Sequence, residues 1–340
     1  MSLPVSGVAP YATDVHAGVF IPEIWSGKLQ AKFYEASVVP AIANTDWEGE
    51  IRDQGDKVII RTVPTINVSQ YKKGLTLAKQ VPQGGKVELL IDRGWYFNVI
   101  ADDVDQIQSD IAQMEVFSND ASEQMKIKVD TNVLASMASW APAADADDGA
   151  QLFSIGKAAD TNRGLTAGAK SGDISLGDGS AAVAGDAVAR KLDKTNVLDF
   201  IVDMGLVMDE ANLPENGRKL VIPAWMGAMI KKSDLKDASL AGDGTSILRN
   251  GRLGMIDRFE LFVSNLLPSR TGVKDDGSGT DKRGHAVFAL TRDALTFASQ
   301  VTKVETLRSE STFGDIMRGL NVYGARVVTP QALVEGFVTK

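Results

Sequence analysis

Two histidines, His16 and His285, and no cysteine make up the imidazole and thiol chemistry of this 340-residue chain. One histidine falls in a small, polar leading segment and the other at the edge of a loop, so no histidine-based triad or cluster is proposed. The lack of cysteine excludes disulfide frameworks, zinc–thiolate sites and thiol nucleophiles. Oxygen ligands remain. Asp145-Ala-Asp147-Asp148-Gly149 has part of the composition of a calcium loop, but its spacing fails the EF-hand pattern and no Glu stands at the twelfth position. Asp102, Asp103 and Asp105 could be imagined as metal ligands, yet carboxylates at a helix start complement the helix dipole and need no metal. Gly242-Asp-Gly244-Thr-Ser246 lacks the Gly-Lys-Ser/Thr ending of a phosphate-binding loop. Nothing combines a nucleophile, a general base and oxyanion donors. No catalytic, cofactor-binding or metal-ligating residue is assigned, and no cofactor is expected.

The residues singled out are of another kind. Trp25, Trp47, Arg61, Tyr71, Lys72, Lys73 and Lys79 are candidates for contact between subunits. Lys72, Lys73 and Lys79 lie near the tip of an extended arm. Two roles are open to them there: solvation, or contact with an acidic partner.

Composition narrows the field. With 44% apolar and 24% charged residues, the chain can build a real core and is not disordered as a whole. A formal charge of −8 argues against a face devoted to gripping nucleic acid, though not against surrounding it. The first ten residues lack the basic and apolar regions of a signal peptide. No run approaches the roughly 18 apolar residues of a membrane span. A soluble protein made in a cytoplasm is expected.

The elements that carry the contact residues are unusual. Residues 1–20 read as an arm, and 21–39 as partly helical, with Pro40 ending the segment. Lys57–Val63 reads as a strand, Pro64 marks an edge, and turns follow at Tyr71–Gly74 and Pro82–Gly85. Between Glu88 and Ile100, Trp95, Phe97 and Val99 alternate with Tyr96, Asn98 and Ile100, a strand pattern. The arm has too little apolar mass to bury itself.

One long amphipathic helix is expected next, from Asp103 to Ser139, roughly 55 Å at 1.5 Å per residue. Its apolar stripe runs through Val104, Ile107, Ile111, Met114, Phe117, Ala121, Met125, Val129, Val133 and Met137. A spine packed on a sheet and a coiled coil both fit such a stripe. Residues 141–191 are rich in Ala, Gly and Asp and read as an irregular insertion. Thr195 is expected to cap a helix whose Leu198, Ile201, Val202, Gly205 and Met208 face inward. A turn at Pro214–Gly217, a buried strand Lys219–Ile222, a helix Ala224–Lys232 opened by Pro223, and a strand Arg258–Ser264 follow. Arg270–Gly284 reads as a polar loop. His285–Thr291, Val301–Glu305 and Val322–Thr329 read as strands returning to the sheet under the long helix.

This order resembles the major capsid proteins of tailed double-stranded-DNA bacteriophages, the Hong Kong 97-type coat fold. Ile24-Trp25 through Ser37 looks like the N-terminal arm; Asp46-Trp47-Glu-Gly-Glu50, Gly55–Val58 and Tyr71–Gly74 look like an extended loop and its base; Asp102–Gln108 looks like the start of the spine helix. Pro214–Arg218, Val221–Trp225, Ile256–Phe259 and Ser264-Asn265 resemble the axial domain, and Glu305, Arg308 and Gly319–Gly324 the returning peripheral strands. The likeness rests on the collinear order of many weak motifs over about residues 20–330.

The resemblance implies an α+β chain divided into an N-terminal arm (1–45), an extended β-hairpin loop with its base strands (46–100), a peripheral-domain spine helix (101–140), an insertion or connection (141–194), an axial α/β domain (195–300) and returning peripheral strands (301–340). It implies a virion structural protein that self-assembles into pentamers and hexamers of an icosahedral shell around double-stranded DNA, built in the host cytoplasm, with the loop lying across the adjacent subunit. It also implies a separate scaffolding protein and a portal as partners, no membrane, and no sequence-specific DNA binding. Two alternatives stand beside it: a bacterial nanocompartment shell of the same fold, and a soluble metal-dependent α+β enzyme.

Overall fold

A computed structural model describes residues 34–35, 37–47, 57–61, 63–64, 66–74, 79–82, 84–103, 113–138, 174–177, 188–233, 254–275, 282–310 and 312–340. Trp25, His16, residues 104–112, the motifs at Asp145–Gly149 and Gly242–Ser246, and most of the 141–191 insertion lie outside them.

In chain order the elements are α1 (Val39–Ile42), β1 (Lys57–Arg61), β2 (Lys86–Leu90), β3 (Arg93–Asp102), α2 (Gln113–Met137), β4 (Val188–Lys191), α3 (Val197–Glu210), β5 (Arg218–Ile222), α4 (Ala224–Lys232), β6 (Met255–Ile256), β7 (Phe259–Val263), β8 (Ser269–Asp275), β9 (Lys282–Thr291), β10 (Leu295–Arg308), β11 (Gly314–Val327), a 3₁₀ turn (Pro330–Ala332) and β12 (Leu333–Thr339). Three sheets result: the hairpin β1–β2, an antiparallel sheet β10–β11–β3, and a seven-stranded mixed sheet β12–β4–β8–β9–β5–β7–β6.

The seven-stranded sheet is buried on both faces at its centre, which is why β9 and β12 read as near-continuous apolar runs. On one face α3 and α4 press Phe200, Ile201, Met204, Met208, Met226 and Ile230 against Leu220, Ile222, Val287 and Ala289. On the other, Phe288, Leu290 and Leu333 join Tyr323 and Leu295 of the smaller sheet, with Val133, Leu134 and Met137 of α2. One core therefore ties the two sheets together. Strand β12 pairs with both β4 and β9, so β12, β4, β8 and β9 close a small ring around Ala189, Val273 and Phe337.

Several expectations need correction. Arg270–Gly284 is not a polar loop: Ser269–Asp275 and Lys282–Thr291 form antiparallel strands. Among the described residues of that stretch, Val273 and Gly284 are the buried ones, against Phe337 or beside it, and the polar sequence around them shows almost no apolar alternation to betray a strand. His285–Thr291 belongs to the larger sheet, not to the three-stranded sheet that carries Val301–Glu305 and most of Val322–Thr329, and so does the final strand β12. Pro40 lies inside α1, in its first turn where a missing N–H costs little. Thr195 is not the cap of α3. The Asp193 carboxylate takes the N–H groups of Thr195 and Asn196 and the Thr195 hydroxyl, so the turn before the helix is organised from Asp193. Val202 faces solvent, one turn from Leu206, which is also exposed.

The long helix packs on a sheet, the first of the two arrangements that its stripe allows. Its described part covers 25 residues, Gln113–Met137. Among the described residues of the apolar stripe, Val129, Val133 and Met137 in the C-terminal half are buried, Ala121 and Met125 are partly buried and Phe117 is exposed.

Candidate assembly interface

Among the described residues the hairpin β1–β2 is anchored at its base. Ile60 and Leu89 form a small cluster with Ile91 and Ala298, against which Trp47, Val58 and Val87 pack. Trp47 thus serves the base of the hairpin within its own chain. Gly324 of β11 is the fulcrum: a Cβ there would lie 2.1 Å from the carbonyl oxygen of Leu90, so only glycine lets the hairpin base come so close.

Beyond Arg61 the described residues form no strand until Lys86. The Gln80 side-chain amide bridges the two limbs, accepting from the Asn67 N–H at 3.1 Å and donating to the Asn67 carbonyl at 2.7 Å. Gly74, with φ +89°, closes the tip beside Tyr71, Lys72 and Lys73. The ribbon is not polar throughout. Val63 is 92% exposed, Val68 96%, Val81 84% and Tyr71 67%, with Ile66 also exposed. Burying a side chain of this class is worth roughly 1.5–3 kcal/mol, so a bare ribbon forgoes a large stabilisation. Arg61, Lys72, Lys73 and Lys79 are exposed along it. Five of the seven contact candidates, Arg61, Tyr71, Lys72, Lys73 and Lys79, therefore line one projecting element. Trp47 does not, and Trp25 falls outside the described residues.

The three-stranded sheet presents one face to α2. Asn132 of α2 is the hub there: its Oδ1 accepts from Arg93 at 2.6 Å and from the Tyr323 hydroxyl at 3.0 Å, while Tyr323 in turn accepts from the Trp95 indole at 3.0 Å. The opposite face carries Tyr96, Ile100 and Leu320 in the open. There, Tyr96, Asn98, Lys303, Glu305, Arg318 and Leu320 line a shallow groove of ≈ 370 Å³. Lys303 and Arg318 both bond Glu305, Arg318 at 2.8 and 3.0 Å, and together hold its carboxyl below the usual range.

The far end of this sheet, where β3 ends and β10 turns into β11, is stapled by charge. Arg308 bridges Asp103 and, at 3.2 Å, Asp315, and keeps the Asp103 carboxyl ionised below its ordinary value. Asp103 also donates its N–H to the Phe313 carbonyl at 3.1 Å. Its side chain is thus engaged in an ion pair. Among the described residues no group of acidic or histidine side chains could hold a metal.

Sequence reasoning missed the roles of two buried polar residues, Asp130 and Arg218, and misplaced a third, His285. Asp130 is buried on α2 and accepts the Val38 and Val39 N–H groups, capping α1 from a distance. Burial raises its pKa, against the opposing pull of those hydrogen bonds. Its position beside Val129 on the buried stripe was the available signal. Arg218 is fully buried, bound to Asp209 at 2.7 Å and to the carbonyls of Pro214 and Leu213. Burial opposes the charge on Asp209, but hydrogen bonds from Arg258 and Arg218 outweigh it and keep the carboxyl below its ordinary value. His285 lies in β9, not at a loop edge, with its ring edge-on to Trp225 at 5.8 Å; burial, then Arg283, depresses its pKa.

No protein-family model matches this chain, and no curated protein sequence matches it. Solved structures do. A chain of Mycobacterium phage Che8 is 24% identical, with a TM-score of 0.69 over 94% of this chain and 97% of that one. A chain from the capsid of Cyanophage P-SCSP1u is 16% identical, with a TM-score of 0.63 over 93% and 92%. One from the capsid of Ralstonia phage GP4 is 13% identical, with a TM-score of 0.60 over 100% and 99%. The shared architecture runs from end to end, and the α+β fold is that of phage coat proteins.

Proposed function

We propose that this chain, having the phage coat-protein fold, is a major capsid protein: a structural subunit that assembles with copies of itself into pentamers and hexamers of an icosahedral shell. The observation that carries this reading is the projecting ribbon, which exposes Val63, Ile66, Val68, Tyr71 and Val81, an apolar surface that a neighbouring copy would cover. Full-length likeness to chains from phage capsids supports the same reading. The α2-bearing sheet corresponds to a peripheral domain and the seven-stranded sheet to an axial domain. Contacts within a ring are then heterologous, each subunit offering one surface and receiving another. Arg61, Tyr71, Lys72, Lys73 and Lys79 belong to the offered surface, and Trp25 to the arm that accompanies it.

An acidic chain suits a wall that encloses double-stranded DNA without clamping it, since packaged DNA must later leave. A separate scaffolding protein and a portal are the further partners on this reading, and assembly takes place in the host cytoplasm. Negative-stain imaging of the purified chain tests the proposal. Rings or closed shells are expected; a stable monomer at every concentration would refute it.

A further inference from the structure

Three local costs fall together at the C-terminal end of α3. Asp209 and Glu210 put two acids in the last turn of that helix, which has no base to offset the dipole. Gly205 stands inside the same helix, where alanine would be the more stable choice. Asp257 and Arg258, the two residues that join β6 to β7, both have left-handed backbones, with φ of +46° and +66°. That is the type I′ hairpin geometry, which asparagine followed by glycine adopts readily and an arginine resists. Local rules broken repeatedly at one place call for a compensating contact.

The contact is a chain of charges. Buried Arg218 of β5 binds Asp209 at 2.7 Å and caps the end of α3 through the carbonyls of Leu213 at 2.9 Å and Pro214 at 2.8 Å. The other Asp209 oxygen takes Arg258 at 2.8 Å, and Arg258 reaches Glu215 at 3.4 Å and its neighbour Asp257 at 3.9 Å. Gly205 makes the room: a Cβ there would lie 2.6 Å from the Asp257 carboxylate. The hairpin held this way is slight. Strand β6 is two residues long, pairing Met255 with Glu260 and Ile256 with Phe259, and a ribbon of that kind is marginal in water by itself. It nevertheless closes one end of the seven-stranded sheet, as the last strand in its order.

We propose that Asp209 and Arg258 form a two-state lock on this edge hairpin. Closed, their ion pair holds the strained turn against α3 and keeps β6 over β7. Open, the turn relaxes, β6 leaves, and Phe259 and Glu260 lose their cover. Arg218 is buried whereas Arg258 is partly exposed, so the outer half of the network can part while the inner half stays. A bare strand edge is a template for pairing with another chain, so the lock decides whether this end of the sheet is available. It is a property of the single chain and does not depend on the coat-subunit reading.

Hydrogen exchange read by mass spectrometry on the full chain at neutral pH tests the lock, with the stretch 254–260 compared against 285–291 at the sheet centre. Arg258→Ala removes the ion pair but keeps a side chain in the left-handed position. Exchange in 254–260 should then quicken about tenfold or more, while 285–291 stays within about twofold. Asp257→Asn/Arg258→Gly also removes the ion pair, yet installs the pair of residues that the turn favours. That double variant should protect 254–260 as well as the unaltered chain does. Asp209→Asn should open the hairpin of the unaltered turn; should it fail to fold with Arg218 left unpaired, the two Arg258 variants decide alone. Full protection of 254–260 in Arg258→Ala overturns the proposal, as does equal opening in Arg258→Ala and the double variant. Neither result touches the coat-subunit reading, which imaging of assembled particles tests separately.

Discussion

Asp130, in the middle of α2, accepts the backbone N–H of Val38 at 2.6 Å, across 92 residues of sequence. The same carboxylate oxygen takes the Val39 N–H at 3.2 Å. The segment leading into the hairpin is thereby pinned to the long helix by one buried acid. Asp130→Ala leaves two buried donors without a partner and should cost about 1–3 kcal/mol in chemical unfolding. Asp130→Asn keeps an acceptor oxygen and removes the desolvated charge, so it should retain stability or gain some.

The pH dependence has a definite sign. Burial raises the Asp130 pKa from 3.8, so the folded state holds its proton more tightly than the unfolded one. The stability from this group is complete below 3.8 and is lost as pH rises through the folded value. Thermal melts from pH 4 to pH 8 should therefore show Asp130→Asn gaining on the unaltered chain as pH increases. A constant difference across that range would contradict this.

His285 behaves in the opposite sense. Its pKa lies below 6.5 because burial, then Arg283, opposes the charged ring. The unfolded chain then takes up a proton that the folded one resists. Stability falls as pH drops from about 6.5 through the folded value. His285→Phe, which keeps a ring against Trp225, should show a shallower loss of melting temperature between pH 7 and pH 5.

Gly324→Ala probes the fulcrum of the ribbon. Its Cβ would meet the Leu90 carbonyl at 2.1 Å and the Leu90 carbonyl carbon at 2.9 Å, both backbone atoms, so the hairpin base must shift. Overpacking of this kind costs roughly 1–3 kcal/mol. The measurable consequence is a re-aimed ribbon. Assembly should suffer more than the melting temperature does, as seen by light scattering beside calorimetry.

Much of this architecture was legible because local signals agreed with the fold. Trp95, Phe97 and Val99 alternate with more exposed neighbours in β3 as expected, and Pro223 immediately precedes the helix Ala224–Lys232. Lys73-Gly74 turns the ribbon where a glycine with positive φ was needed. Legibility failed where tertiary contacts override local pattern. Among the described residues of β8 Val273 is the buried one, and β12 owes its sheet to pairing with distant β4 and β9. In the first half of α2, Phe117 on the apolar stripe is exposed, while Ala121 and Met125 are only partly covered. An apolar position read from spacing therefore marked contact with something, without saying whether that something was the same chain.

Sedimentation velocity of the intact chain beside a version lacking residues 65–85 tests the central claim most directly. The account predicts fast-sedimenting rings or shells for the first and a folded, slow monomer for the second, with matching circular dichroism. Equal assembly by both chains would show that the ribbon does not join the subunits.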